Sequence, residues 1–199
     1  MSLPGESPAL NSDLTALWRS VELCLPCHEV VGAASFQPAG AESLATDWER
    51  WVREIFGPVL RPSINAIQEA AARQDFPDLL RRDALLGESL PPNAARESLV
   101  VGRRALLDFT PPHGAKLLER LGHFAAENPA AGQFATVFAV RAHVFHLPGV
   151  QVALALLLAE CILGAGSIGI TLPALQVSEL MELALRQLSA APSLQVVAL

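Results

Sequence analysis

Apolar residues recur at helical spacing along almost the whole chain. Leu14, Leu17, Trp18, Val21, Leu23 and Leu25 predict a first helix, with Asn11, Ser12 and Asp13 standing before them as candidate caps. Pro26 predicts its end. The stretch VVGAASFQPAGAES, residues 30–43, has the glycine, proline and small residues of a loop. Helical spacing resumes through Leu44, Trp48, Trp51, Val52 and Ile55, and Gly57-Pro58 predicts a break or kink. RPSINAIQEAAARQ reads as the next helix, and DFPDLLRRDALLGE as another with Asp75 or Asp78 as its cap. A further helix follows Pro91-Pro92, because proline is tolerated in a first turn. GAKLLERLGHFAAEN is amphipathic through Leu117, Leu118, Leu121 and Phe124. AGQFATVFAVRAHVFH is apolar nearly all round and stops at Leu147-Pro148-Gly149. The closing segment places Leu180, Met181, Ala184, Leu185 and Leu188 on one face. No alternating run is long enough to require a strand, and no fixed-period repeat is visible. The pattern predicts an all-α, single-domain bundle of about eight to ten helices. It spans residues 11–190, between a flexible N-terminus at 1–10 and a tail at 191–199.

Residues 152–170, VALALLLAECILGAGSIGI, are the most apolar stretch. Their length would allow a membrane span. Glu160 near the centre, three glycines in the second half and the lack of a basic flank argue instead for a helix buried in a protein core. Arg141, on the preceding helix, is the natural partner for Glu160, so a buried ion pair is expected.

Composition narrows the function. The 199 residues carry a formal net charge of -6, and Lys116 is the only lysine. That excludes nucleic acid as the main partner. The opening residues lack a basic segment followed by an apolar one, and three cysteines do not make a secreted disulfide framework. A cytoplasmic location is expected. No phosphate loop, dinucleotide fingerprint, nucleophile elbow or zincin motif occurs. No catalytic residue, cofactor or metal site is predicted. CLPCH places Cys24, Cys27 and His28 at haem-attachment or metal spacing, but haem needs export, and Cys161 is the only other cysteine. A Cys₂His metal site is the alternative to an incidental helix end. His143 and His146 share a helix face, with no carboxylate nearby to orient them as ligands.

Several segments have a familiar order. ARESLVVGRRALL, residues 95–107, resembles the AESLQMGRALL segment of the UreF family of urease accessory proteins, with Glu97, Ser98, Leu99, Gly102 and Arg103 coinciding. GQFATVFAVRAHVFHLP is similar to the family's HYPVVFGLAAAALGLP at Val137, Phe138, Ala142, Leu147 and Pro148. TLPALQVSEL stands where the family has LVPLGQTDGQ, and Pro173 and Gln176 keep register. Leu25-Pro26 with Val31, Gly32, Ser35 and Phe36 corresponds to the family's N-terminal LPVGGFSYSHGLE. The chain departs from the pattern at Gln133-Phe134-Ala135, in place of His-Tyr-Pro, and at Ile170, in place of an arginine.

The resemblance implies a homodimeric, all-α chaperone with no chemistry of its own. It implies binding to a UreD/UreH-like accessory protein and recruitment of a UreG-like GTPase, so that nickel is inserted into apo-urease. It places partner contacts at Gly32, Ser35, Phe36, Pro173 and Gln176. It gives Glu97, Ser98, Gly102 and Arg103 a structural role, with Gly102 allowing close helix approach. The alternatives are a paralogue that keeps the fold without the urease role, and a Cys/His metal-binding protein.

Overall fold

A computed structural model describes residues 8–25, 34–107 and 115–190, and all regular structure among them is helical. Nine α-helices occur in these residues: α1 Pro8–Cys24, α2 Leu44–Trp51, α3 Arg61–Ala72, α4 Phe76–Ser89, α5 Pro92–Leu107, α6 Lys116–Glu127, α7 Phe134–Val144, α8 Gly149–Ser167 and α9 Ala174–Ala190. The expected all-α single-domain bundle is what forms. Its first helix begins at Pro8, upstream of the expected Asn11–Asp13 cap and inside the expected N-terminal tail. Proline is accommodated there because a first-turn N–H has no intrahelical acceptor. The expected tail 191–199 lies outside the described residues.

Gly57-Pro58 does not break the chain's course. Residues Val52–Leu60 form a π-helical segment that joins α2 to α3 as one rod. The backbone is helical at both junctions, with φ -62° at Trp51 and φ -69° at Leu60. Proline lacks an N–H and crowds the carbonyl four residues before it. In the wider segment the bond spacing is five residues, as where Arg61 N–H donates to the Phe56 carbonyl. The proline is thereby absorbed and not expelled. With this rod counted once, eight helical bodies make up the described fold.

Asp75, not Asp78, caps α4, accepting from Asp78 N–H at 3.1 Å. Asp78 is surrounded by Arg73, Arg81 and Arg82 instead. The Arg82 and Arg81 guanidinium donors hold its carboxyl below the ordinary range.

Two apolar helices form the centre. Every residue from Phe134 to Ala142 on α7 is buried, and α7 packs on α1, α3, α5, α6 and α8. α8 lies against α1, α3 and α9. By length and composition α8 would be able to cross a bilayer. Residues Ala155 to Cys161 of α8 are nevertheless buried within this chain's own core.

Candidate functional site

Three charged side chains are buried among the described residues: Asp83, Arg141 and Glu160. Isolated charges in an apolar core are costly, so each must find partners. None pairs with another. Each is matched to backbone groups, and together they fix how the helices meet.

Glu160 was expected to pair with Arg141, and it does not. Its Oε2 accepts from the N–H of Ser35 at 2.8 Å and of Phe36 at 2.9 Å, and its Oε1 accepts from the Ser35 hydroxyl at 2.8 Å. The loop before α2 is thereby tied to α8. One turn further along α8, Gly164 makes room for Phe36: a Cβ there would lie 2.3 Å from the Phe36 ring. The ring then meets Trp48 at 4.9 Å and Trp51 at 5.5 Å, and Trp48 Nε1 donates to the Leu180 carbonyl of α9 at 2.7 Å. At the loop's other end Asp47 accepts from Ala39 N–H at 2.9 Å and the Ser43 hydroxyl at 2.7 Å. Ser35 and Phe36, expected at a partner surface, are 4% and 1% exposed. Their role is internal, because Glu160 and the tryptophans consume their donors and ring faces. Gly32 lies outside the described residues.

Burial pushes the Glu160 carboxyl up from 4.5 to about 7, against the pull of the Phe36 and Ser35 donors. Between those values the folded chain keeps a proton that the unfolded chain has released. The contribution of this group to stability is therefore full below pH 4.5 and falls as pH rises towards 7. The full decline corresponds to about 3 kcal/mol. Unfolding of the wild type and Glu160→Gln, compared between pH 4.5 and 7, should show a difference that shrinks by this order as pH rises. A pH-independent difference would contradict the shifted titration.

Arg141 donates to the Ala105 carbonyl near the end of α5 and to the Leu23 carbonyl near the end of α1, each at 3.2 Å. A cation at two helix C-termini meets carbonyls left without intrahelical donors and the negative ends of both dipoles. Arg141 thus finds its hydrogen-bond acceptors in helix-end carbonyls and not in Glu160.

Asp83 performs the opposite service. Its carboxylate accepts from Gly132 N–H at 2.7 Å and Gln133 N–H at 2.9 Å, at the start of α7. Burial raises its pKa, and the Gly132 donor opposes the rise. Ser98 accepts the next donor, Phe134 N–H, at 3.1 Å. Two other helices therefore cap α7, which supplies no side-chain cap of its own. Gly102 permits the approach: a Cβ there would lie 2.1 Å from the Gly132 carbonyl oxygen and 2.7 Å from Phe134 N. Arg103 donates to the Asn128 carbonyl at 3.2 Å, while Glu97 lies beside Arg96 at the surface. Of the four residues given a structural role, Ser98, Gly102 and Arg103 converge on the turn before α7, and Glu97 stands off it.

Asp83 was missed in the sequence. The signal was present, since Leu79, Asp83 and Leu86 share the buried face of α4. A carboxylate at such a position announces buried donors opposite it.

The remaining candidates lie elsewhere. Pro173 and Gln176 are exposed at the start of α9, beside Leu175 at 71% exposure. Cys24 and Cys161 are buried free thiols, and burial pushes both up to about 12, far from the thiolate form that metals and electrophiles require. Cys27 and His28 lie outside the described residues. Burial lowers the His143 pKa, with His146 adding to the effect. Among the described residues no group of three or more His, Cys, Asp or Glu side chains is placed to hold a metal ion. No protein-family model, curated protein or solved structure gives a significant match to the chain.

Proposed function

We propose that the chain is a non-enzymatic assembly factor of the UreF type. In this reading it acts as a homodimer in the cytoplasm, binds a UreD/UreH-like partner and recruits a UreG-like GTPase, so that nickel reaches apo-urease. The single observation that carries the reading joins sequence and geometry. Two of the segments that carry the family likeness, residues 95–107 and 132–148, meet at one junction. Gly102 and Ser98 of the first segment accommodate and cap the start of the second. Motifs that were matched separately along the sequence thus serve one packing contact.

The partner surface in this reading is the exposed start of α9 at Pro173 and Gln176. The Ser35–Phe36 loop supports it indirectly, through the Trp48 bond to Leu180. A chain of this kind works by presenting surface and not by reacting. The test is restoration of urease activity in a urease-positive cell that lacks its own UreF, together with co-purification of the UreD-like protein encoded in the same genome. Restored activity with co-purification, and a dimer mass in sedimentation, are the expected results. Absence of both activity and co-purification would leave the fold without this role.

A further inference from the structure

An open apolar groove of about 450 Å³ runs between α1, α8 and α9. Leu14 and Leu17 form one wall, Met181 and Leu185 the other, and Val150 and Leu154 of α8 join them. Val150 is 78% exposed and Leu185 43% exposed, so apolar surface faces water at the rim. On α9 the lining residues Ser178, Met181 and Leu185 stand three and four residues apart, as one helix stripe. One charge marks the lining. Among the described residues Glu182 is its only charged side chain. It is exposed and makes no hydrogen bond or ion pair there, although Arg186 follows one turn later. Glu179, one turn earlier, is likewise exposed and unbonded. A ligand that fills the groove therefore approaches two uncompensated carboxylates, and a cation on it complements them.

The kind of occupant follows from backbone chemistry. All three elements edging the groove are helices, whose backbone groups are bonded within themselves. They offer no open edge for an extended peptide to pair with. A strand laid in the groove would hold its own N–H and C=O groups over apolar surface without partners. A helix satisfies its backbone internally and presents apolar side chains at the spacing of the groove's own stripes. A second copy lacks a matching stripe among its described residues. On α4 and α5 the exposed large apolar residues are single, Leu85 and Val100, and on α1 Trp18 and Leu23 lie five residues apart, on different faces.

We infer that the groove between α1, α8 and α9 is the seat of an amphipathic helix from another protein. Its aliphatic stripe fills the groove, and a lysine or arginine beside the stripe meets Glu182. The inference does not depend on the urease reading.

The test uses the full chain and two labelled synthetic helical peptides. Both carry leucine at every third or fourth position, and their remaining positions are lysine-rich in one and glutamate-rich in the other. Fluorescence anisotropy should show saturable binding of the leucine–lysine peptide, and weaker binding of the leucine–glutamate peptide by about tenfold or more. Leu185→Asp should weaken the leucine–lysine peptide by about tenfold or more, because a charge replaces aliphatic surface that the peptide covers. Val150→Asp, in the first turn of α8 where a carboxylate suits the helix dipole, repeats this reading without a burden on folding. Glu182→Gln should weaken the same peptide by about two- to fivefold, and Glu182→Lys should shift the preference towards the leucine–glutamate peptide. Attraction to the net charge of -6 alone predicts the reverse for both aspartate variants, since each adds a negative charge. Unchanged or tighter binding of the leucine–lysine peptide in those variants would overturn the inference, as would the lack of saturable binding to the wild type. A sedimenting dimer that both aspartate variants abolish would also overturn it and assign the groove to a second copy.

Discussion

Replacing Gly102 with alanine is expected to lower the unfolding free energy by about 3 kcal/mol or more. The melting temperature should fall by roughly 6–12 °C for a chain of this size. The added methyl would lie 2.1 Å from the Gly132 carbonyl oxygen and 2.8 Å from the Gln133 carbonyl carbon. Both neighbours are backbone, so no side-chain rotation relieves the overlap, and α5 must move away from the start of α7. That movement also stretches the Ser98 bond to Phe134 N–H, which is 3.1 Å long in the native arrangement. Alanine is the better helix former by about 1 kcal/mol, so any observed loss understates the cost of the contact. Thermal unfolding of the purified variant checks this. A melting temperature at or above that of the wild type would show that the two helices do not approach so closely.

Asp83→Ala is expected to cost about 2–5 kcal/mol. Removing the carboxylate leaves Gly132 N–H and Gln133 N–H without their acceptor, in a place where Asp83 itself is 2% exposed. Asp83→Asn should cost less, because one carbonyl oxygen remains to accept while the amide nitrogen faces a donor. Burial already disfavours the charged form of Asp83, so loss of charge matters less than loss of acceptors. Denaturant unfolding of both variants gives the comparison. Equal losses in Asn and Ala would mean that charge at the helix start outweighs acceptor geometry.

The helices were legible because each must bury one stripe, and the stripes of α6 and α9 fall at the spacing that 3.6 residues per turn demands. The largely apolar α7 and α8 were legible as core helices for a different reason: polar positions are few, so no continuous polar face is left for water. Partner choice among the buried charges was not legible. Glu160 and Ser35 lie 125 residues apart, and two of the three donors to the carboxylate are backbone N–H groups that every residue type except proline possesses. Arg141 likewise finds carbonyls at two helix ends, which no side-chain pattern marks. Charge complementarity pointed to a pair on adjacent helices, and backbone demand prevailed. Ser35 and Phe36 were drawn towards a surface role by the family likeness alone, whereas the space above Gly164 fixes Phe36 inside.

The π-helical segment also sets the angular phase of the rod from Leu44 to Ala72. Its buried positions include Trp48, Val52, Phe56, Leu60 and Ile64, each four residues after the last. In an unbroken α-helix every fourth residue advances by about 40° around the axis, so five such positions would wind well away from the core. A segment closing its bonds over five residues turns more slowly and rotates the row back. Two opposite drifts then cancel, and a period-four sequence presents a straight apolar seam. The wider segment around Pro58 thus keeps distant parts of the rod in alignment. One residue gained or lost between Val52 and Leu60 would disturb that cancellation and swing Ile64 and Ile67 away from α7, although nothing within α3 had changed.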